Sequence, residues 1–80
     1  MGNQQGILDR INEIFQDAFD DESLTVSNET TAHDIEGWDS LMHLSIIEMI
    51  EGEFGIKFTM EEIMDMENVG AMVKAIEMHI

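Results

Sequence analysis

Residues 37–55 read GWDSLMHLSIIEMIEGEFG, and the period of their apolar positions decides the fold. His43, Ile46, Ile47, Ile50 and Phe54 recur at the spacing of one helix face. Gly52 and Gly55 sit near or beyond the end of that run, so the spacing predicts a helix from about Ser40 to Glu53. Asp39 and Ser40 are both favoured helix N-caps, and one cap is enough. If Asp39 serves, Ser40 stands free in the first turn, where unpaired amides and partial positive charge favour a phosphate. A second apolar group, Leu41, Leu44 and Met49, falls away from the core stripe and calls for a separate explanation.

Working outward, Ile7, Leu8, Ile11, Ile14, Phe15, Ala18 and Phe19 mark a first amphipathic helix, with Asp9, Asn12, Glu13 and Gln16 opposite. Asp20 to Asp34 has no sustained period and reads as a long ordered loop or several turns. Thr59-Met60-Glu61-Glu62 has the spacing of a capping box, so a short helix with Ile63, Met64 and Met66 is expected. Asn68 is placed to cap a last helix whose core face reads Val69, Met72, Val73, Ile76 and Ile80. No stretch alternates long enough to demand a strand. The expectation is a single all-α domain over residues 1–80: a four-helix bundle of three main helices and a short third, with a long loop between the first two.

The eighty residues carry eighteen Asp and Glu against only Arg10, Lys57 and Lys74, a formal net charge of −15. Nucleic acid and anionic membranes are poor partners for such a chain, and basic protein surfaces better ones. The apolar share of 44% is enough for a core, but so short a chain has little room for an enclosed active site. Without cysteine there is no disulfide, thiolate metal site or cysteine nucleophile, so any thiol chemistry must use a borrowed thiol. No apolar run suffices to span a bilayer, and the start MGNQQG lacks the pattern of a signal peptide, so a cytoplasmic monomer is expected. Met1-Gly2 begins like a myristoylation signal, but position six is Gly rather than Ser or Thr. Asp17, Asp20, Asp21 and Glu22 lack the alternating ligands and central glycine of a calcium loop and read as a solvated acidic turn, with no metal site. The eight methionines, half of them at Met60, Met64, Met66 and Met72, suit either irregular core gaps or the lining for a variable apolar guest.

A hydrolytic reading would pair Ser40 with His43 three residues on. No orienting third group or oxyanion donors accompany them, and His43 lies on the core stripe, so a packed histidine is expected. The chain is not expected to be an enzyme.

Asp39-Ser40-Leu41, preceded by a glycine and an aromatic and followed by an apolar, acidic helix ending in Glu53-Phe54-Gly55-Ile56, resembles an acyl carrier protein. The resemblance runs from the first helix to the last, including the long loop, the TMEE start of the short helix and the final amphipathic helix. It implies a 4′-phosphopantetheine arm on Ser40, flanked by Asp39 and Leu41 and delivered from coenzyme A by a Mg²⁺-dependent phosphopantetheinyl transferase. Cargo would then ride as a thioester in fatty-acid, polyketide or related biosynthesis. The resemblance further implies that loading ligases and transferase or synthase enzymes dock basic patches on Leu41, Leu44, Ser45, Glu48, Met49, Glu51 and Glu53. It also places an acyl chain near Ile50, Phe58, Ile63 and Met66. Met42 and Ser45 stand where many fatty-acid-synthesis carriers have acids, and Trp38 where a small residue is usual, which points to a specialised pathway. An aminoacyl or peptidyl carrier stays open, as does an unmodified acidic helical adaptor for basic proteins.

Overall fold

A computed structural model describes residues 4–80; the Met1-Gly2 pair lies outside them. Four helices follow in order, α1 (Gln4–Ala18), α2 (Ser40–Phe54), α3 (Met60–Met64) and α4 (Val69–His79), with one 3-10 turn at Ala32–Asp34 in the first loop. The expected all-helical bundle with its short third helix is observed. The only bridge among the described residues is an isolated antiparallel one between Thr31 and Asn68.

Each boundary has a local cause. Asp39 in extended geometry accepts the Met42 N–H, and Gly55 ends α2 in the left-handed conformation at φ 65° while its N–H bonds the Glu51 carbonyl. At α3 the capping box closes in both directions, Glu62 N–H to Thr59 Oγ1 at 3.2 Å and Thr59 N–H to Glu62 Oε1 at 2.8 Å. Asn68 Oδ1 accepts the Ala71 N–H at 2.8 Å and starts α4.

The helices close on one core. Ile7, Ile11, Ile14 and Phe15 of α1 meet Ile46, Ile47 and Ile50 of α2 and Val69, Met72, Val73, Ala75 and Ile76 of α4, all buried. Removal of this apolar surface from water is the main stabilising contribution. Ile80 departs from the expected core face: it is 66% exposed, because α4 ends at His79 and the periodicity has no helix left to act on. The polar side of α1 also differs from its reading. Asn12 and Gln16 are half-buried: Asn12 Oδ1 accepts the Val26 N–H at 2.6 Å, and Gln16 Nε2 donates to the Leu24 carbonyl at 2.9 Å. These bonds give the loop backbone the partners that a ladder would otherwise supply, which lets Val26 bury its side chain.

The loop is fixed at its other side by α4. Val69 N–H bonds Thr30 O at 2.9 Å and Gly70 N–H bonds Asn28 O at 2.8 Å. A Cβ at Gly70 would stand 2.8 Å from the Asn28 carbonyl oxygen, a backbone atom that has no rotamer to yield. The short α3 owes its place to side chains: Phe58 and Met66 bury at its two ends, Glu51 Oε2 accepts the Phe58 N–H at 2.9 Å, and His79 Nε2 meets Glu62 Oε2 at 2.9 Å. The Thr59 backbone N–H and then the His79 ring hold the Glu62 carboxyl below its ordinary range.

Gly70→Ala is expected to destabilise the fold by about 1–3 kcal/mol in urea unfolding, since a shift of the loop backbone outweighs the helix propensity gained. Because the folded state depresses the Glu62 pKa, its contribution is present above the ordinary carboxylate range and lost as pH falls through the folded value. Unfolding midpoints of Glu62→Gln and the parent chain should therefore converge as pH is lowered from neutrality.

Candidate functional site

The start of α2 is built from its neighbours. Gly37 at φ 92° turns the chain where a side-chain-bearing residue would be strained, and the next residue, Trp38, folds inward to 7% exposure. Its indole packs edge-on to Phe15 with ring centroids 5.0 Å apart. With Trp38 pinned, the chain must emerge at Asp39, whose Oδ1 takes the Met42 N–H at 2.8 Å and whose carbonyl takes the His43 N–H at 2.8 Å.

Ser40 is therefore the first residue of α2 and is exposed. Among the described residues no group bonds its hydroxyl; the capping work falls to Asp39. The amides of Ser40 and Leu41 lie in the first turn, where a helix has no internal acceptor for them. An exposed Oγ beside such amides fits a phosphoester, whose oxygens accept those hydrogen bonds and whose charge the helix end favours.

Beside Ser40 lies a groove of about 470 Å³ between the first loop, α2 and α3, lined by Ala32, Trp38, Asp39, Ser40, His43, Leu44, Met60, Ile63, Met64 and Met66. Of the residues expected at a cargo site, Ile63 and Met66 line it. Ile50 and Phe58 do not: Ile50 is wholly buried in the core, and Phe58 is buried with its ring edge-on to His79. The methionines divide accordingly. Met66 and Met72 are buried, whereas Met60 and Met64, 67% and 77% exposed, form the groove's outer rim.

His43 is half-buried, with both ring nitrogens engaged. The Trp38 indole N–H donates to Nδ1 at 3.2 Å, and Nε2 lies 3.3 Å from the Ile63 carbonyl oxygen. An indole only donates and a carbonyl only accepts, so the neutral Nε2–H tautomer alone satisfies both. A base for Ser40 is not available from a ring so occupied.

The outer face of α2 presents Leu41 at 77% and Leu44 at 48% exposure, with Ser45, Glu48 and Glu53 also exposed. Met49 instead packs half-buried against the core, and the half-buried Glu51 carboxylate turns back to the Phe58 amide. Glu53 pairs with Arg10 at 2.8 Å across the α1–α2 edge. Met42, one of the two positions where an acid would be usual, also packs half-buried against the core. At the acidic turn, Ser23 donates to Asp21 from both hydroxyl and amide and holds that carboxyl below its ordinary range. Among the described residues no group of three or more His, Cys, Asp and Glu is disposed to hold a metal ion, and no helix is long and apolar enough to cross a membrane.

Residues 9–76 match the family described as "Phosphopantetheine attachment site". The fold is similar to the solution NMR structure of holo acyl carrier protein from Geobacter metallireducens, with a TM-score of 0.84 and 38% identity over 90% of this chain and 83% of that one. No curated protein matches the sequence.

The division of labour between neighbours is measurable. Asp39→Ala should cost about 1 kcal/mol through loss of the cap, whereas Ser40→Ala should stay within about 0.5 kcal/mol in the same urea titration, its hydroxyl having no bond to lose.

Proposed function

The chain belongs to the phosphopantetheine-attachment family as a carrier of the acyl carrier protein type, and we propose that Ser40 is the residue that bears its prosthetic group. The protein is a carrier, not an enzyme, and its cofactor is 4′-phosphopantetheine. When attached, that group supplies the terminal thiol on which cargo rides as a thioester, which is how a chain without cysteine takes part in thiol chemistry.

One observation supports Ser40 above all: its hydroxyl is exposed and unbonded at the first position of α2, because the adjacent Asp39 does the capping. The carboxylate of Asp39 stays committed to the Met42 amide, so the helix start keeps its shape while Ser40 is modified. The apolar lining of the groove, Leu44, Met60, Ile63, Met64 and Met66, favours an acyl cargo over a polar aminoacyl one. Of the cargo residues expected from sequence, Ile63 and Met66 carry this proposal.

Carrier proteins of this type work with a phosphopantetheinyl transferase and with biosynthetic enzymes. For this chain we assign the docking face to Leu41 and Leu44 at the centre, with Ser45, Glu48 and Glu53 at the rim. Exposed leucines beside carboxylates suit a basic patch with an apolar centre, in which the charges steer encounter and the apolar contact sets lifetime. Met49 supports this face from beneath, and Glu51 holds α3 rather than meeting a partner directly. The acid-poor positions Met42 and Ser45 favour a specialised acyl pathway over general fatty-acid synthesis, in the cytoplasm and as a monomer.

Intact mass after incubation with coenzyme A, Mg²⁺ and a broad-specificity phosphopantetheinyl transferase tests the assignment. The expected outcome is a gain of one phosphopantetheinyl group in the parent chain and none in Ser40→Ala of unchanged helicity. An unmodified parent chain, or a modified S40A, overturns it.

A further inference from the structure

The groove beside Ser40 reaches the core residues Trp38 and Met66 but not Ile46 or Ile50, and a hydrogen-bonded side chain, His43, stands among its lining. Trp38, His43, Ile63 and Met66 line it. Ile46 and Ile50, one and two turns beyond His43 on the same stripe, have no exposed surface and take no part in the lining. His43 joins the two walls: Nδ1 accepts from the Trp38 indole at the foot of α2, and Nε2–H donates to the Ile63 carbonyl in the last turn of α3. That carbonyl belongs to a helix end, where it has no full intrahelical complement of donors. The buried indole N–H has no other partner among the described residues. Parting α3 from α2 along this line therefore strands the buried indole donor and leaves the Ile63 carbonyl only its local backbone partners, among them the Met66 N–H at 3.5 Å, which is costlier than parting apolar surfaces.

Resting on the attachment of the arm at Ser40, we propose that His43 is a positioning residue that sets how deep cargo can go in this carrier. By latching Trp38 to the Ile63 carbonyl it closes the way from the groove to Ile46 and Ile50. An acyl group tethered at Ser40 then lies in the outer part of the groove against Leu44, Met60 and Met64, whatever its length, instead of reaching those deeper isoleucines. Cargo selection by this chain is accordingly insensitive to acyl length, and the far end of a long chain stays open to partner enzymes and to water. The exposed, flexible thioethers of Met60 and Met64 fit such a role, since they adapt to guests of different shape.

The test loads the full chain with a series of saturated acyl-phosphopantetheine groups, from butyryl to dodecanoyl, using the matching acyl-coenzyme A and the transferase. Mass gain reports attachment independently of where the acyl group lies. Two properties of the loaded chain are then read: the rate of thioester cleavage by hydroxylamine, and the methyl NMR signals of Ile46, Ile50 and Ile76. In the parent chain the rate should be flat across the series and the three signals unmoved. In His43→Leu, which keeps bulk but makes neither bond, the rate should fall by about fivefold at the long end, on the order of one lost hydrogen bond, and the signals should shift. His43→Gln, whose amide offers one acceptor and one donor, should restore the flat profile. A rate that falls with length in the parent chain overturns the proposal, and this arm decides even if H43L fails to fold. A folded H43L with a flat profile and only a lower Tm also overturns it, leaving His43 a structural role alone. Absence of mass gain removes the attachment reading and this inference with it.

Discussion

The hydrogen bond from the Met42 amide to the Asp39 carboxylate, 2.8 Å long, fixes where α2 begins. The apolar period decides which residues share a face, and the cap decides where the incoming chain turns into that helix. With the start at Ser40, Ile46, Ile47 and Ile50 point into the core against α1 and α4, while Leu41, Leu44, Ser45 and Glu48 point outward. The same bond relieves Ser40 of the capping that its side chain is equally suited to perform. A single carboxylate thus sets both the start of α2 and the availability of the hydroxyl, and Trp38 secures it by anchoring the preceding residue against Phe15.

Much of this was legible from residue order because helix boundaries are local. The Thr59–Glu62 box, the Asn68 cap and the Gly55 terminus each depend on residues within one turn, and each forms as the sequence implies. The apolar stripes of α1 and α2 were likewise legible, since the period alone identifies a face. What the order of residues does not carry is the destination of long side chains. Nothing local tells Glu51 to turn inward to the Phe58 amide, Asn12 and Gln16 to hold loop carbonyls and amides, or Trp38 to leave the surface for Phe15. Ile80 fails the opposite way: its period is right, but the helix has ended.

The candidate site divides along the same line. The exposed first-turn position of Ser40 was legible because it follows from where the helix starts. The groove was not, because its rim is made by Met60 and Met64, whose burial is undetermined by spacing: of the five methionines from Met60 onward, two fill the core and three face outward. Ile50 on the core stripe of α2 and Phe58 in the connection before α3 are buried and take no part in its lining. Which side chains line a groove depends on long-range packing, and His43, which does line it, makes a ring bond to a residue twenty positions away.

A net charge of −15 within extents of 30 × 24 × 22 Å sets the terms on which these parts cooperate. Many carboxylates lie within a few Debye lengths of each other, so their repulsion opposes the compact state. The one Arg–Glu pair described, Arg10 with Glu53, is exposed and offsets little of it. Four carboxylates instead take backbone N–H partners: Asp39 at α2, Glu62 at α3, Glu51 on Phe58, Asp21 on Ser23. Each is held by directed donors, and none needs a Lys or Arg, which the sequence has few of. The carboxylates left in solvent, Glu48 and Glu13 among them, stay hydrated and contribute to the long-range field. The chain therefore commits one set of acids to its own helix ends and leaves another to act at a distance. On α2 the division is visible in one helix: Glu51 turns back to the Phe58 amide while Glu48 stays in solvent beside the exposed Leu41 and Leu44.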